Sequence, residues 1–311
     1  MNDVAVSVIL PVYNRAGMIG AAIDSVVAAA AALPIEIIAV DDASTDDTWQ
    51  VLRAMPDVRA IRLERNSGQS AARNHGLALA RGRFVKYLDS DDFLLPDHFT
   101  REVRALEDEG ADIAVSGWCE EDNGVRQCFD APPFDSIVDD VLAGRAVPTS
   151  AALYRRRDEW RWDPSLRKLD DWDYFCQAAL GATRIVSVPG PAYVMRHHDW
   201  GRVTNVSLFA NAREHHHILQ KIETRLAREG RLTDARRKRL AQYYYRELRV
   251  LSLNDREAFE RAVAHMLELD PRFQPRDEEP LLYMRLLARL LGVRNAVRLH
   301  SAVKSALKPQ R

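Results

Sequence analysis

Phe84-Val85-Lys86-Tyr87-Leu88 runs directly into Asp89-Ser90-Asp91-Asp92. A short apolar strand therefore ends by presenting several carboxylates at one mouth. Like charges placed together destabilise a fold unless a positive group shares the site. A hard divalent cation is the usual partner for such oxygens, often with phosphates completing its shell.

Outward from this strand, the first hundred residues alternate apolar runs with amphipathic segments. Val4–Leu10, Ile35–Val40, Val58–Leu63 and Phe84–Leu88 read as strands. Each is a mainly apolar or β-branched run, as parallel strands show when both faces are covered. Helical patterns lie between them at Gly17–Ala32, Asp46–Met55 and Ser70–Ala80. Pro34 closes the first, and Ser44-Thr45-Asp46-Asp47 supplies caps and first-turn acids for the second. This alternation predicts a doubly wound, mostly parallel α/β sheet whose ligands sit beyond the carboxyl ends of its strands.

Later segments are less regular. Pro96–Glu109 and Asp171–Leu180 read as helices, Asp112–Trp118 as a strand, and Glu120–Val125 as a polar turn around Asn123-Gly124. Arg184–Val188 reads as a strand closed by Pro189-Gly190-Pro191. From Phe209 onward the pattern is helical, so a boundary is expected near Thr204–Phe209, dividing the chain into 1–205 and a helical region, 206–311.

Composition bounds the function. The chain has 311 residues and is 47% hydrophobic, enough for one large core and an appendage. No apolar run reaches the roughly 18 residues of a membrane span, and Met1-Asn2-Asp3-Val4 lacks the basic start and apolar middle of a signal peptide. Cys119, Cys128 and Cys176 cannot pair completely and match no zinc spacing; Cys119 and Cys128 read as free thiols flanking a hairpin. A reduced, cytoplasmic setting is expected. The net charge of −1 hides a division: 22 Lys and Arg stand against 13 Asp and Glu from Arg213 onward, and 22 against 32 before it. The acidic part is expected to hold the cation, and the basic part to face an anionic surface.

Four segments carry a resemblance. Val6-Ser7-Val8-Ile9-Leu10-Pro11-Val12-Tyr13-Asn14 resembles the opening strand of family 2 glycosyltransferases, which have the GT-A fold. Val40-Asp41-Asp42-Ala43-Ser44-Thr45-Asp46 is similar to their second nucleotide-binding signature. Asn66–Gly76 and Tyr87–Asp92 are similar to the third and fourth. The resemblance is dense over residues 4–100 and thin to about 200. It implies a GT-A, Rossmann-like catalytic domain followed by helices, with Pro11, Tyr13, Asn14, Arg15, Asp42, Arg73, Asp89 and Ser90 on the nucleotide. Read as chemistry, Tyr13 offers an aromatic face to a base and Asp42 an acceptor for the imide N–H of uracil. Arg73 can pair with a diphosphate or with the carboxylate cluster.

The resemblance also implies a metal site at Asp89, Asp91 and His198, with Mn²⁺ or Mg²⁺ bridging the donor diphosphate. Lys168-Leu169-Asp170-Asp171-Trp172-Asp173 is similar to the family's acidic segment at a helix start, which makes Asp171 the general base. In Tyr193-Val194-Met195-Arg196-His197-His198, either histidine can be the one the family places over the donor, with Arg196 a phosphate contact. His215-His216-His217 reads as a solvated helix face, because consecutive helical residues point in different directions. Trp118, Trp160, Trp162 and Trp172 are core residues or sugar-stacking platforms.

The expected activity is inverting, metal-dependent transfer of a sugar from a UDP-sugar to an acceptor hydroxyl in surface polysaccharide or glycoconjugate synthesis. A nucleotidyltransferase is the alternative enzyme, although Asn14-Arg15-Ala16-Gly17 is a poor phosphate loop; a non-catalytic nucleotide-sugar-binding subunit is the other. No nucleic-acid partner is expected. Residues 281–291 and 293–307 read as helices broken at Gly292, the second with Arg294, Arg298, Ser301, Lys304 and Lys308 on one side and Leu299, Ala302, Val303, Ala306 and Leu307 opposite. Such a helix suits either a membrane surface or docking against this chain or a second copy.

Overall fold

A computed structural model describes residues 4–30, 33–96, 98–197, 208–275, 287–288 and 291–299. It divides into two compact units, Met1–Val203 and Thr204–Arg311. In the first, β1 (Val6–Val12), β2 (Ile35–Asp41), β3 (Val58–Arg62) and β4 (Phe84–Tyr87) form the parallel half of a nine-stranded sheet, in the order β3-β2-β1-β4. All seven residues of β1 are buried. Its apolar side chains each stabilise the fold by about 1.5–3 kcal/mol relative to exposure.

Between these strands run α1 (Ile19–Ala30), α2 (Thr48–Arg53) and α3 (Gln69–Leu79). Helix α3 packs on β1 and β2. At Gly76 a Cβ would lie 2.5 Å from Ile9 Cγ2, so only glycine lets α3 settle this close to β1. One turn earlier on the same helix is Arg73, which this approach delivers to the carboxyl ends of the strands.

Beyond β4 the sheet becomes mixed. β5 (Phe93–Leu94) and α4 (His98–Asp108) precede β6 (Ile113–Asp122) and β7 (Val125–Phe129), then come α5 (Ile137–Val141), a 3₁₀ turn at Thr149–Ala151, β8 (Ala152–Arg155), α6 (Asp170–Gly181) and β9 (Ile185–Arg196). β8 is antiparallel to both β4 and β6, β9 is parallel to β6, and β5 closes the path antiparallel to β9. Short strands such as β5 and β8 carry too little periodicity to announce themselves in sequence.

Pro189-Gly190-Pro191 does not close the last strand. Gly190 (φ 84°) lets the chain bulge, Gly117 on β6 then pairs with Pro191, and β9 continues to Arg196. A Cβ on Gly117 would meet the Phe129 carbonyl oxygen at 2.4 Å. Asn123 and Gly124, at φ 48° and 79°, form the two-residue turn between β6 and β7. That hairpin corrects the cysteine reading: Cys119 and Cys128 are directly opposed and joined by a disulfide, while Cys176 is a buried thiol. Cross-strand pairing brings the two sulfurs together, which separation along the chain does not disclose.

In the second unit, α7 (Leu208–Arg228), α8 (Asp234–Asn254) and α9 (Arg256–Leu269) pack in succession, α7 on α8 and α8 on α9. Gly230 (φ 66°) ends α7, and Asp255 caps α9 by accepting from Ala258 N at 2.9 Å. The histidine tract is not a uniformly solvated face: the His215 and His216 rings lie 6.0 and 5.1 Å from those of Tyr243 and Tyr244, and only His217 is exposed. Residues 291–299 are helical, with Val293, Ala296 and Val297 buried and Leu299 on the outside, opposite to its expected apolar side. Arg294 and Arg298 both pair with Glu260 of α9, and residues 300–311 lie outside the described residues.

Candidate active site

Three loops meet at the carboxyl ends of β1, β2 and β3. Asn14, in left-handed backbone (φ 52°), donates its N–H to Ser44 Oγ at 2.9 Å and accepts from Thr45 N at 2.8 Å. Ala43 is also left-handed (φ 60°), a conformation that non-glycine residues hold only where surrounding contacts impose it. Asp41 is fully buried, accepting from Ser44 N at 3.0 Å and lying 3.3 Å from Arg62 Nε. The carboxylate of Asp42 accepts from Ser67 N (2.7 Å) and Gly68 N (2.8 Å), and so holds the loop that leads into α3. Both oxygens of Asp42 keep a lone pair for a further donor. Pro11 is buried inside β1, whereas Tyr13 is 42% exposed and presents its ring at the mouth.

Two of the carboxylates after β4, Asp89 and Asp91, are each approached by a guanidinium. Arg73 Nη2 is 2.6 Å from Asp89 Oδ1, and Arg15 Nη2 is 3.2 Å from Asp91 Oδ2. Ser90 is buried between them in sequence. Asp92 lies behind, accepting from Arg196 N at 2.9 Å. Burial, then repulsion from Asp89 and Asp91, pushes its carboxyl well above the ordinary range. Burial likewise raises Asp89, opposed by Arg73 and reinforced by Asp91.

Arg73 also joins this cluster to α6. Its side chain is 2% exposed and lies over the Trp162 ring, 4.1 Å from the centroid. Nη1 donates to Asp170 Oδ2 at 3.0 Å and sits 3.3 Å from Asp171 Oδ1. Asp170 is 1% exposed and also accepts from Ser70 Oγ (2.7 Å) and Gln69 Nε2 (3.0 Å). Its lone pairs are therefore committed to α3. Asp171 differs, with 40% of its side chain open to solvent. Burial of its inner part pushes its carboxyl up to about 7, with Arg73 opposing and Asp170 and Asp89 adding repulsion. An open carboxylate of this kind can take a proton near neutrality, whereas Asp170 is held by Arg73, Ser70 and Gln69.

Of Trp118, Trp160, Trp162 and Trp172, Trp160 and Trp162 are core residues, and Trp162 stacks on Tyr174 at 4.3 Å with an interplanar angle of 8°. Trp118 stacks on Phe129 at 5.3 Å. His197 Nε2 faces Glu120 Oε2 at 3.2 Å, and the His197 backbone N–H donates to the Glu121 carbonyl oxygen at 2.7 Å, so this histidine is bound to β6. His198 lies outside the described residues.

Comparison with known proteins bears on this geometry. The profile of Glycosyl transferase family 2 matches residues 7–161. An uncharacterized glycosyltransferase of Bacillus subtilis, YwdF, is 30% identical over 221 residues, 68% of this chain and 81% of that protein. The chain belongs to glycosyl transferase family 2. A second family relative, the UDP-Glc:alpha-D-GlcNAc-diphosphoundecaprenol beta-1,3-glucosyltransferase WfaP of Escherichia coli, is 34% identical over 131 residues, 41% of this chain and 52% of that protein. The chain thus spans about half the length of that relative. The crystal structure of S. aureus TarS 1-349 in complex with UDP-GlcNAc superposes with a TM-score of 0.71 at 17% identity, covering 99% of this chain and 93% of that one, a likeness of GT-A fold.

Within this family 2 site, sequence reading passed over Gln69, Ser70 and Arg62. The first two stand one turn ahead of Arg73 at helical spacing, a signal present in the sequence. Nothing local marks Arg62 as the partner of Asp41, because β2–β3 register alone brings them side by side.

Proposed function

We propose that this chain transfers a sugar from a UDP-sugar to an acceptor hydroxyl with inversion, with Asp171 as general base, in polysaccharide or glycoconjugate assembly. The observation that carries the reading is the Arg73 bridge, which holds the donor-side Asp89 and the open Asp171 on one guanidinium. As the acceptor oxygen bonds to the anomeric carbon, its proton passes to Asp171. The bond from that carbon to the diphosphate breaks on the opposite face, leaving UDP with the electron pair. Arg15 and Arg73 stand where cationic groups can balance that charge. The glucosyl donor and lipid-linked acceptor named for WfaP support a UDP-sugar and an undecaprenyl-diphosphate-linked saccharide here too.

The donor set also fits a divalent cation. Asp89 and Asp91 are partly open, hard oxygen ligands, and the strain that their charges place on Asp92 is what a cation would relieve. Among the described residues no three His, Cys, Asp or Glu side chains form a closed cage, so donor phosphate oxygens would share the shell. When bound, the ion supplies charge neutralisation for the departing diphosphate.

The test is UDP release from a panel of UDP-sugars, with and without Mn²⁺, in the presence of a polyprenyl-diphosphate-linked saccharide, followed by NMR of the product's anomeric centre. Acceptor-dependent release with an inverted linkage is expected. A retained linkage, or no release with any UDP-sugar, refutes the reading.

A further inference from the structure

The corner joining α7 to α8 carries a concentration of positive charge, three members of which meet no carboxylate among the described residues. Between residues 225 and 239 stand seven Arg and Lys against two acids, Glu229 and Asp234. Glu229 is already held by Arg225 at 2.9 Å and Arg231 at 2.7 Å. Asp234 is the first-turn acid of α8. Arg228, Arg237 and Lys238 are exposed and, among the described residues, meet no carboxylate.

Arg236 is anchored through Nη1 to the Arg231 carbonyl oxygen at 2.8 Å, yet the placement works against the charge of the helix end. Residues 236–239 are four successive cations near the N-terminus of α8, where the helix dipole disfavours positive charge. Like charges three and four residues apart on a helix also repel. Among the described residues, Arg294 and Arg298 do not supply the same surface, since both are engaged by Glu260.

From this we infer that the α7–α8 corner docks on an anionic lipid bilayer. The long, exposed side chains of Arg228, Arg237 and Lys238, at the junction of two helices, match a plane of phosphates. The inference rests on the proposed function only for its purpose, because a lipid-linked acceptor is reached at a membrane.

Flotation of the full chain with vesicles tests it in the absence of donor and acceptor, so the result is independent of whether transfer occurs. The wild-type chain should float at low salt with vesicles containing about one-third phosphatidylglycerol, remain behind with pure phosphatidylcholine, and be released by high salt. The triple variant Arg228→Gln, Arg237→Gln, Lys238→Gln should lose about a hundredfold in partitioning. Arg237→Glu with Lys238→Glu provides a second variant whose folding is not at risk, since acids favour the start of a helix. Failure of the wild type to float, or flotation undiminished in both variants, overturns the proposal. So does binding to a random duplex DNA as tight as to the anionic vesicles, which would mark an unselective polyanion surface.

Discussion

Arg73 Nη2 lies 2.6 Å from Asp89 Oδ1, which makes a buried helical arginine the immediate neighbour of a carboxylate at the mouth of β4. The guanidinium is planar and always charged, so fixing one edge on Asp89 aims the other at α6. Its second nitrogen meets Asp170 and Asp171 there. Two segments about eighty residues apart in sequence thereby share one cation.

Asp171→Asn should lower turnover by about 10²- to 10⁴-fold, the usual worth of a general base, while donor affinity stays close to that of the parent. Single-turnover assays and calorimetric titration with a UDP-sugar measure the two quantities separately. Full activity in this variant would remove Asp171 from the proposed chemistry.

The rate should depend on pH through the same carboxyl. With Asp171 pushed up to about 7, kcat/KM should rise with pH through neutrality as the base loses its proton. Stability should move the other way. Between the ordinary value of 3.8 and about 7 the folded state binds more protons at Asp171 than the unfolded state, so this group's contribution falls as pH rises. Denaturant midpoints of the parent and Asp171→Asn, compared on both sides of neutrality, should converge at low pH.

Asp170→Ala should cost about 3 kcal/mol, because Arg73, Ser70 and Gln69 lose a shared buried acceptor. Urea denaturation measures the loss, and Asp170→Glu should recover part of it. A parent-like midpoint for the alanine variant would show that Asp170 is not a clamp.

Away from the site, Lys86 Nζ lies 2.8 Å from Glu102 Oε1, with both side chains 1% exposed. Lys86→Met strands a buried carboxylate that retains Ser116 Oγ at 2.8 Å, and should cost about 3–5 kcal/mol at neutral pH. The deficit should shrink as pH falls, since Glu102, already raised by burial, then accepts a proton. Replacing Glu102 with Leu in the same chain should restore much of the loss. An additive double variant would show that the two residues are not coupled.

The parallel half of the fold was legible because β1, β2 and β4 are mainly apolar, as burial on both faces demands, and β3, at the sheet edge, is set off from them by helical periodicity. The mixed half was not. Strand β5 spans two residues, and β9 passes through Pro189-Gly190 only because Gly190 and Gly117 permit a bulge. The clustering of polar residues at strand ends was equally readable, since alternation places those ends along one edge. Their division of labour was not, for Asp170 and Asp171 are adjacent and chemically identical in the chain.

What the sequence by itself determined is the strand–helix order, the crowding of Asp89, Asp91 and Asp92, and the basic surplus after Arg213, all of them properties of neighbouring residues. What only the tertiary structure decided is which acids Arg73 engages, that Asp170 is buried while Asp171 stays open, and that Cys119 faces Cys128. The physical reason is that solvent access and partner choice are set by segments distant in the chain, which meet only after α3 and α6 have packed.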